Sequence, residues 1–427
     1  MNKTINTALA LAHLFVFVAG TYPVEYTICG VKNTIQKAPS KIITMNQGAT
    51  EFLLALGLSD RMVGTAYIDD AIWPQYADAY KTIPILSGSS YPDETTIMNA
   101  KPDFMVASYN SAFRQTYVDS KNRTKGIFSD ATVGPCTGVG SEWGLTIKPT
   151  CRPQLHKAGI GTYVFADHCE DSSLRPSTVT KDVVYGELRA LGSIFNVDPE
   201  PLITLMKSDF EKAGKLVSDN AAALNEKPFK VVWLDCINCC DKGTDDEPTY
   251  FVGGGTGAPH LLMKEAGLTN AFEAKTGGWV CVKQKDIVAA DPDAIVLVDA
   301  AWDLAKTKVD KLYNNADFCK LNAVTRASFV KIPFSATTLG PRNGPAALDL
   351  AIVSLHVRLG IKGNFGKSGV DFFDAKTLAK DTEKSLCPLQ LNSVPYAASD
   401  GIPELGSSST MILSFVSVAI TIFATLL

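Results

Sequence analysis

Residues 198–226 read DPEPLITLMKSDFEKAGKLVSDNAAALNE. Asp198 and Pro199 supply a good N-cap and first helical residue. Leu202, Met206, Phe210, Ala213 and Val217 then fall on one face at helical spacing, and Pro228 ends the pattern. The spacing predicts a connecting helix over 199–226. At about 1.5 Å per residue, about 28 residues span about 42 Å, enough to bridge two lobes.

On both sides of this stretch, short β-branched or apolar runs stand before polar or Gly-rich loops. Ahead of it they are Lys41–Met45, Met62–Thr65, Phe104–Ala107 and Thr162–Phe165; after it they are Lys230–Leu234, Ala294–Val298 and Phe329–Ile332. Helical patterns alternate with them. Glu51–Leu56 is apolar on one side and Gly57 stops it; Leu348, Ile352, Leu355 and Leu359 share one face of a later helix. Strands alternating with helices predict a parallel sheet in each half. The expected fold class is α/β: two Rossmann-like lobes, 24–198 and 227–396, joined by one long helix, with a ligand cleft between them.

The ends have a different character. Lys3 opens a stretch whose apolar core, Ala8 to Ala19, ends in small residues, so 1–20 reads as a secretory signal peptide. The segment Met411–Leu427 carries no charge, and upstream lie small residues at 398–401 and a largely polar spacer through Ser409. That order matches a GPI-anchor signal over 397–427, with attachment at Ser399. A single transmembrane span is the alternative, though no basic residue follows to hold a cytoplasmic end. Either tethers the protein to the outer face of the plasma membrane.

Without both ends about 380 residues remain, enough for two ordinary domains. With 46% hydrophobic and 20% charged residues, composition is that of a globular protein, and a net charge of −4 argues against nucleic-acid binding. All ten cysteines lie beyond the leader, which in an oxidising compartment favours disulfides. Cys136 and Cys151 are placed to close one insert around Trp143, and Cys236, Cys239 and Cys240 to staple another over Asp235–Glu247. Asn122-Arg123-Thr124 is a glycosylation acceptor consistent with export.

The order of certain segments resembles a known family. Ala38-Pro39-Ser40-Lys41-Ile42-Ile43, then Gly48–Glu51, then Leu56–Gly64, is similar to the opening of the helical-backbone (class III) periplasmic binding proteins for ferric siderophores, cobalamin or haem. Ala100–Val106 and Ala290–Val296 resemble that family's two strand entries, Ala258–Asn270 its helix ending in Ala-Gly-x-x-Asn, and Gly340–His356 its closing helix. The likeness covers about residues 38–360. With the GPI-type tail, the chain looks like the membrane-tethered siderophore-binding proteins of diatoms. The inserts Asp119–Pro153 and Asp235–Glu247 depart from the family pattern.

The resemblance implies a non-catalytic receptor that captures a ferric siderophore, a hydroxamate, by modest closure of two lobes. Haem or a cobalamin-like corrinoid is the alternative. No resident cofactor is implied. Beyond the iron chelate and the membrane, the next partner is left open among a ferric reductase, a permease and an endocytic receptor. Such a ligand needs rigid aromatic area and a few donors. Loops beyond strand C-termini supply Tyr67, Trp73, Tyr91, Tyr109, Arg114 and Trp302; the second half adds Tyr250, Trp279 and Arg342. Tyr109 and Arg114 are the leading anchors, whereas Trp233, inside a strand, suits core packing.

Other chemistries have weaker signals. His168-Cys169-Glu170 groups potential metal ligands, His168 being at a loop tip, and Tyr109 or His168 suits an axial haem ligand. Phe251–Gly257 is glycine-rich but lacks a phosphate-loop ending, and reads as a flexible cleft-edge turn. No Gly-x-Ser-x-Gly elbow is present; an extracellular hydrolase would need an unrecognised site. Asp69-Asp70 and Asp245-Asp246 read as solvated loop charges.

Overall fold

The structure, a computed structural model, describes residues 21–118, 124–128, 132–137, 150–226, 228–240, 247–372 and 385–387. Residues 1–20, Asn122, Trp143, Asp245-Asp246, Ser399 and the apolar tail lie outside the described residues.

The first lobe is built on a parallel sheet whose strands lie in the order Ile85–Ser87, Met62–Ala66, Ile42–Met45, Phe104–Ala107, Gly161–Val164. Central strands of such a sheet are covered on both faces, and Ile42–Met45 and Phe104–Ala107 are buried at every position. The second lobe is mixed. Lys230–Ile237, Ala294–Asp299 and Phe329–Pro333 run parallel, but Thr249–Gly253 and Trp279–Lys283 add an antiparallel edge. Only eleven positions separate Ile237 from Thr249, fewer than a parallel crossover takes, and the two strands pair antiparallel.

The connecting helix is shorter than its sequence pattern predicts. Glu200–Asp219 is helical for 20 residues, about 30 Å long, and Asn220 separates it from the short helix Ala221–Asn225. Asn220 turns its side-chain amide back onto the Leu216 carbonyl (2.8 Å), competing with continuation of the helix. The buried face is Ile203, Met206, Asp209, Phe210 and Ala213. It packs against the closing helix Asn343–Leu359, where Gly344 permits close approach: a Cβ there would meet the Met206 carbonyl at 2.9 Å. The closing helix buries Ala346, Ala347, Leu350, Ala351 and Ser354. Its stripe of Leu348, Ile352 and Leu355 instead lines an outer groove beside Leu216.

One apolar core runs through both lobes, taking in Phe52, Phe104 and Phe195 from the first, Phe210 from the connecting helix, and Trp233, Leu262 and Ile332 from the second. Trp233 is a core residue, as its strand position predicts. Smaller clusters cover the outer face of each sheet.

A polar clamp crosses the same interface. Glu51, on the helix Gln47–Ala55, and Arg342 pair with side chains 0% and 3% exposed. Arg342 Nε donates to Glu51 Oε2 at 2.7 Å, and its Nη2 binds the other carboxylate oxygen and the Ala71 carbonyl. Gln47 braces the loop beneath: its amide nitrogen donates to Glu51, Asp70 and Ala71, and its oxygen accepts the Asp69 and Asp70 backbone N–H groups. Asp70 accepts from the backbone and hydroxyl of Ser335 in the other lobe. Asp69-Asp70 is therefore no solvated loop pair, as the sequence reading had it. Burial drives Asp69 up to about 8 and Asp70 to about 6.

All ten cysteines are paired, and no free cysteine remains. Cys136–Cys151 and Cys240–Cys281 close the two inserts with Cys236–Cys239. Cys29–Cys169 spans 140 positions and ties the N-terminal hairpin to the loop after Gly161–Val164.

Removing one member of the clamp strands a buried charge. Arg342→Ala should lower unfolding stability by about 3–5 kcal/mol in denaturant titration; a loss below about 1 kcal/mol would show the pair to be dispensable. A second expectation concerns pH. Asp69 rises to about 8, and Glu187, Asp167 and Asp235 rise to about 7, all chiefly through burial. Folded pKa values above the unfolded ones mean the folded state holds more protons, so stability falls as pH climbs through 7–8. His156, held down at about 4 by burial, opposes this only below about 6.5. The unfolding temperature should drop between pH 6.5 and 8.5, by roughly 2–4 °C per kcal/mol lost, and less in Asp69→Asn. A flat or rising wild-type profile would contradict it.

Candidate functional site

A cavity of about 350 Å³ opens between the lobes. One wall is the loop after Gly161–Val164, carrying Asp167, His168, Arg175 and Val179. The other comes from the second lobe: Thr256 and Gly257 ahead of the helix Ala258–Glu265, Thr276–Trp279, and Thr337-Thr338. Its volume is at the small end of the ligand-pocket range. Four threonines, one arginine and one tryptophan among the lining residues give it the makeup of a site for a polar chelate.

The loop carrying His168 is fixed from several sides. The Cys29–Cys169 bridge anchors it covalently. Arg175 Nε donates to the Cys169 carbonyl at 2.6 Å, and Asn110 to the His168 carbonyl at 3.2 Å. Glu187 accepts the Ala166 N–H (2.8 Å) and the Tyr163 hydroxyl (2.6 Å). Asp167 lies 3.7 Å from His168 Nε2, and burial pushes its carboxyl up to about 7.

The opposite wall is rigid for a different reason. The Gly254–Gly257 backbone lies directly on 273–278: a Cβ on Gly255 would sit 1.9 Å from the Glu273 carbonyl, and one on Gly257 2.5 Å from the Gly278 Cα. Gly254 and Thr256 N–H groups donate to Gly278 and Gly277, and the Thr256 carbonyl accepts Val179 N–H across the lobes at 2.7 Å. The glycine-rich run is at the cleft edge, but it is pinned by main-chain hydrogen bonds rather than flexible.

Of the residues singled out from sequence, Trp279 and His168 line the cavity. Trp279 stacks on Phe251 (5.6 Å) and Tyr109 packs its ring on His168 (4.3 Å). Tyr109 is thus one residue back from the cavity, its hydroxyl raised by burial and by Asp69, Asp167 and Asp235. Arg114 is half-buried, bridged through its backbone to Thr150 and close enough to Glu170 to act on its charge; it does not line the cavity. Tyr67, in the left-handed region (φ 59°), packs its ring at a tilt on Tyr91 at 4.8 Å, and Tyr91 bonds Asn46 and Ser111. Trp302, 41% exposed, donates its indole N–H across the lobes to Asp69 Oδ1 at 3.2 Å.

Tyr250, Trp73 and Arg342 are buried away from the cavity. Tyr250 is 3% exposed, packs edge-on to Phe318 and bonds Gln284, because its strand turns it into the outer core. Trp73 and Arg342 are taken up by the clamp, Trp73 donating to the Lys367 carbonyl at 2.7 Å beneath the guanidinium. The His168-Cys169-Glu170 run offers no metal triad, since Cys169 is consumed by its disulfide. Arg175, Thr256, Thr276 and Thr337-Thr338 are cavity residues that sequence reading missed. Nothing in their local pattern marks them; only the facing of the lobes brings them together.

No helix among the described residues is long and apolar enough to cross a membrane. No protein-family model matches the chain. Over 312 residues it is 22% identical to an uncharacterized ABC transporter substrate-binding lipoprotein, YvrC, of Bacillus subtilis (strain 168), covering 72% of this chain and 78% of that protein. Its structure is similar to a periplasmic binding protein from Veillonella parvula (TM-score 0.56, 20% identity, 80% of this chain and 98% of that one). It is also similar to a protein of an ABC-type Fe3+-hydroxamate transport system from Saccharomonospora viridis (TM-score 0.55, 21% identity, 78% and 99%). A third likeness is to a periplasmic heme-binding protein from Pseudomonas aeruginosa (TM-score 0.53, 16% identity, 78% and 99%). Three of these are named as binding proteins and one as part of a transport system. The chain has their two-lobed α/β fold.

Proposed function

We propose that this protein captures a ferric hydroxamate siderophore between its lobes, at the outer face of the plasma membrane, for iron uptake. The observation that carries the reading is the interlobe cavity lined by Trp279, Arg175 and four threonines, at the edge of a preformed interface. A ferric hydroxamate is bulky and wrapped in organic chain. It takes flat aromatic contact from Trp279 and charge-assisted hydrogen bonds to its hydroxamate oxygens from Arg175. The clamp and shared core hold the lobes nearly fixed, so binding energy is not spent on a wide hinge swing. The likeness to proteins of Fe3+-hydroxamate transport supports the ligand class.

Haem is the second reading. His168 faces the cavity with Tyr109 stacked behind it, a pairing that suits axial ligation, and heme-binding proteins share the fold. In either case the tail 397–427 tethers the protein as a GPI anchor, in the manner of diatom siderophore-binding proteins. The captured chelate then passes to a permease, a ferric reductase or an endocytic receptor.

Titrating the full chain in mild detergent with ferrichrome or ferrioxamine should quench tryptophan fluorescence and release calorimetric heat. Trp279→Ala and Arg175→Ala should each weaken binding by about 1–3 kcal/mol, and Tyr250→Phe should leave it unchanged. No heat with several ferric hydroxamates, together with a Soret shift on adding hemin that His168→Ala abolishes, would replace this reading by haem. Phosphatidylinositol-specific phospholipase should free the protein from cells; retention would establish a transmembrane span.

A further inference from the structure

Cys236, Cys239 and Cys240 enter two bridges, and both bridges end on one row of the second sheet. Cys236 stands across from Phe251, and Phe251 across from Cys281, so the three lie in line over three antiparallel strands. Cys236 is bonded to Cys239, and Cys281 to Cys240. The Phe251 ring, in the middle of the row, stacks on Trp279 (5.6 Å). Trp279 precedes Cys281 by two positions on the same strand, hence on the same face, and it lines the interlobe cavity. Phe251 thus links Cys236 to the cavity wall.

Two features set Cys236–Cys239 apart from the other four bridges. Its loop is the shortest, with a sequence separation of 3 against 15, 41, 68 and 140. A cross-link over so short a loop restrains the unfolded chain least, so opening it costs the fold least. Its two sulfurs also differ in access. Cys239 is exposed, whereas Cys236 is 6% exposed. An outside thiol attacks where it has access, and Cys-x-x-Cys is a spacing at which proteins carry out thiol–disulfide exchange. The pairing of Lys230–Ile237 with Thr249–Gly253 is already irregular between Leu234 and Cys236, so the bridge is the covalent restraint on a strand end whose ladder is broken.

We propose that Cys236–Cys239 is a thiol–disulfide exchange site, opened by an extracellular dithiol, and that opening it loosens the Phe251–Trp279 wall and weakens ligand binding. One thiolate of the dithiol attacks Cys239 Sγ, and the bridge breaks as Cys236 leaves as a thiolate. The second thiolate of the dithiol then attacks its own sulfur in the mixed disulfide and releases Cys239. Two electrons pass to the protein, the two protons of the dithiol end on the cysteines, and the dithiol becomes a disulfide. The effect on binding rests on the chelate reading above; the exchange chemistry does not.

The test equilibrates the full chain, in mild detergent, with graded ratios of reduced to oxidised dithiothreitol, followed by iodoacetamide labelling and mass spectrometry of the peptides. Cys236 and Cys239 should take up label at a ratio about tenfold below that which opens any other pair. Protein opened at that pair alone should bind ferrioxamine about tenfold more weakly than the oxidised protein. Cys236→Ser combined with Cys239→Ser should bind at the weakened level with or without dithiothreitol, and circular dichroism establishes that this variant is folded. Tryptophan emission gives a measurement on the wild-type sequence without ligand: it should shift as the pair opens, and the shift should be lost in Trp279→Phe. Opening of Cys236–Cys239 together with or after the other bridges would overturn the inference, as would first opening with emission and affinity both unchanged. If the oxidised chain binds no ferric hydroxamate, the chelate reading fails, while the order of labelling and the emission shift still decide the exchange site.

Discussion

The bidentate pair of Glu51 and Arg342 sets how the two sheets face each other. Its members stand 291 positions apart, one in each lobe, and both are withdrawn from water. Such a pair is tolerable only when its remaining donors and acceptors are met. Here they are: Gln47 and the Trp73 backbone N–H complete Glu51, and the Ala71 and Ser368 carbonyls complete Arg342. Trp73, Ala71 and Ser368 belong to loops, and Gln47 opens the helix that carries Glu51. The electrostatic requirement of one buried charge thus becomes a geometric constraint on the binding face.

That constraint explains why the interface is preformed. A shared apolar core and a buried polar clamp act together, so separating the lobes would expose Phe52, Phe334 and the Glu51 carboxylate at once. The disulfide from Cys29 to Cys169 plays the corresponding part within the first lobe, holding the His168 loop against the hairpin Val24–Ile28 and Val31–Ile35. On the proposed reading, affinity comes from a site already in place rather than from a wide closure of the lobes.

Seven strands were legible in the sequence to within a few residues, because their β-branched runs stand out against Gly-rich or polar loops. The pairing of Cys136 with Cys151 was legible from their placement in the first insert. The failures share a cause: they depend on contacts distant in sequence. Tyr250 and Arg342 look like cleft residues by position, but strand facing turns one inward and Glu51 captures the other. Asp69-Asp70 looks like a loop pair, and only the packing of Ser335 and Trp302 against it reveals its burial. The long helix ended early because Asn220 has a side chain that competes for its own backbone.

The central claim is that an iron chelate lodges between the lobes. Anomalous diffraction at the iron edge, from crystals of the chain grown with ferrioxamine, tests it most directly. The account predicts one iron peak in the seam, between Trp279 and Tyr109. No ordered iron, or iron bound only elsewhere, as in the groove formed by Leu216, Leu348 and Ile352, would contradict it.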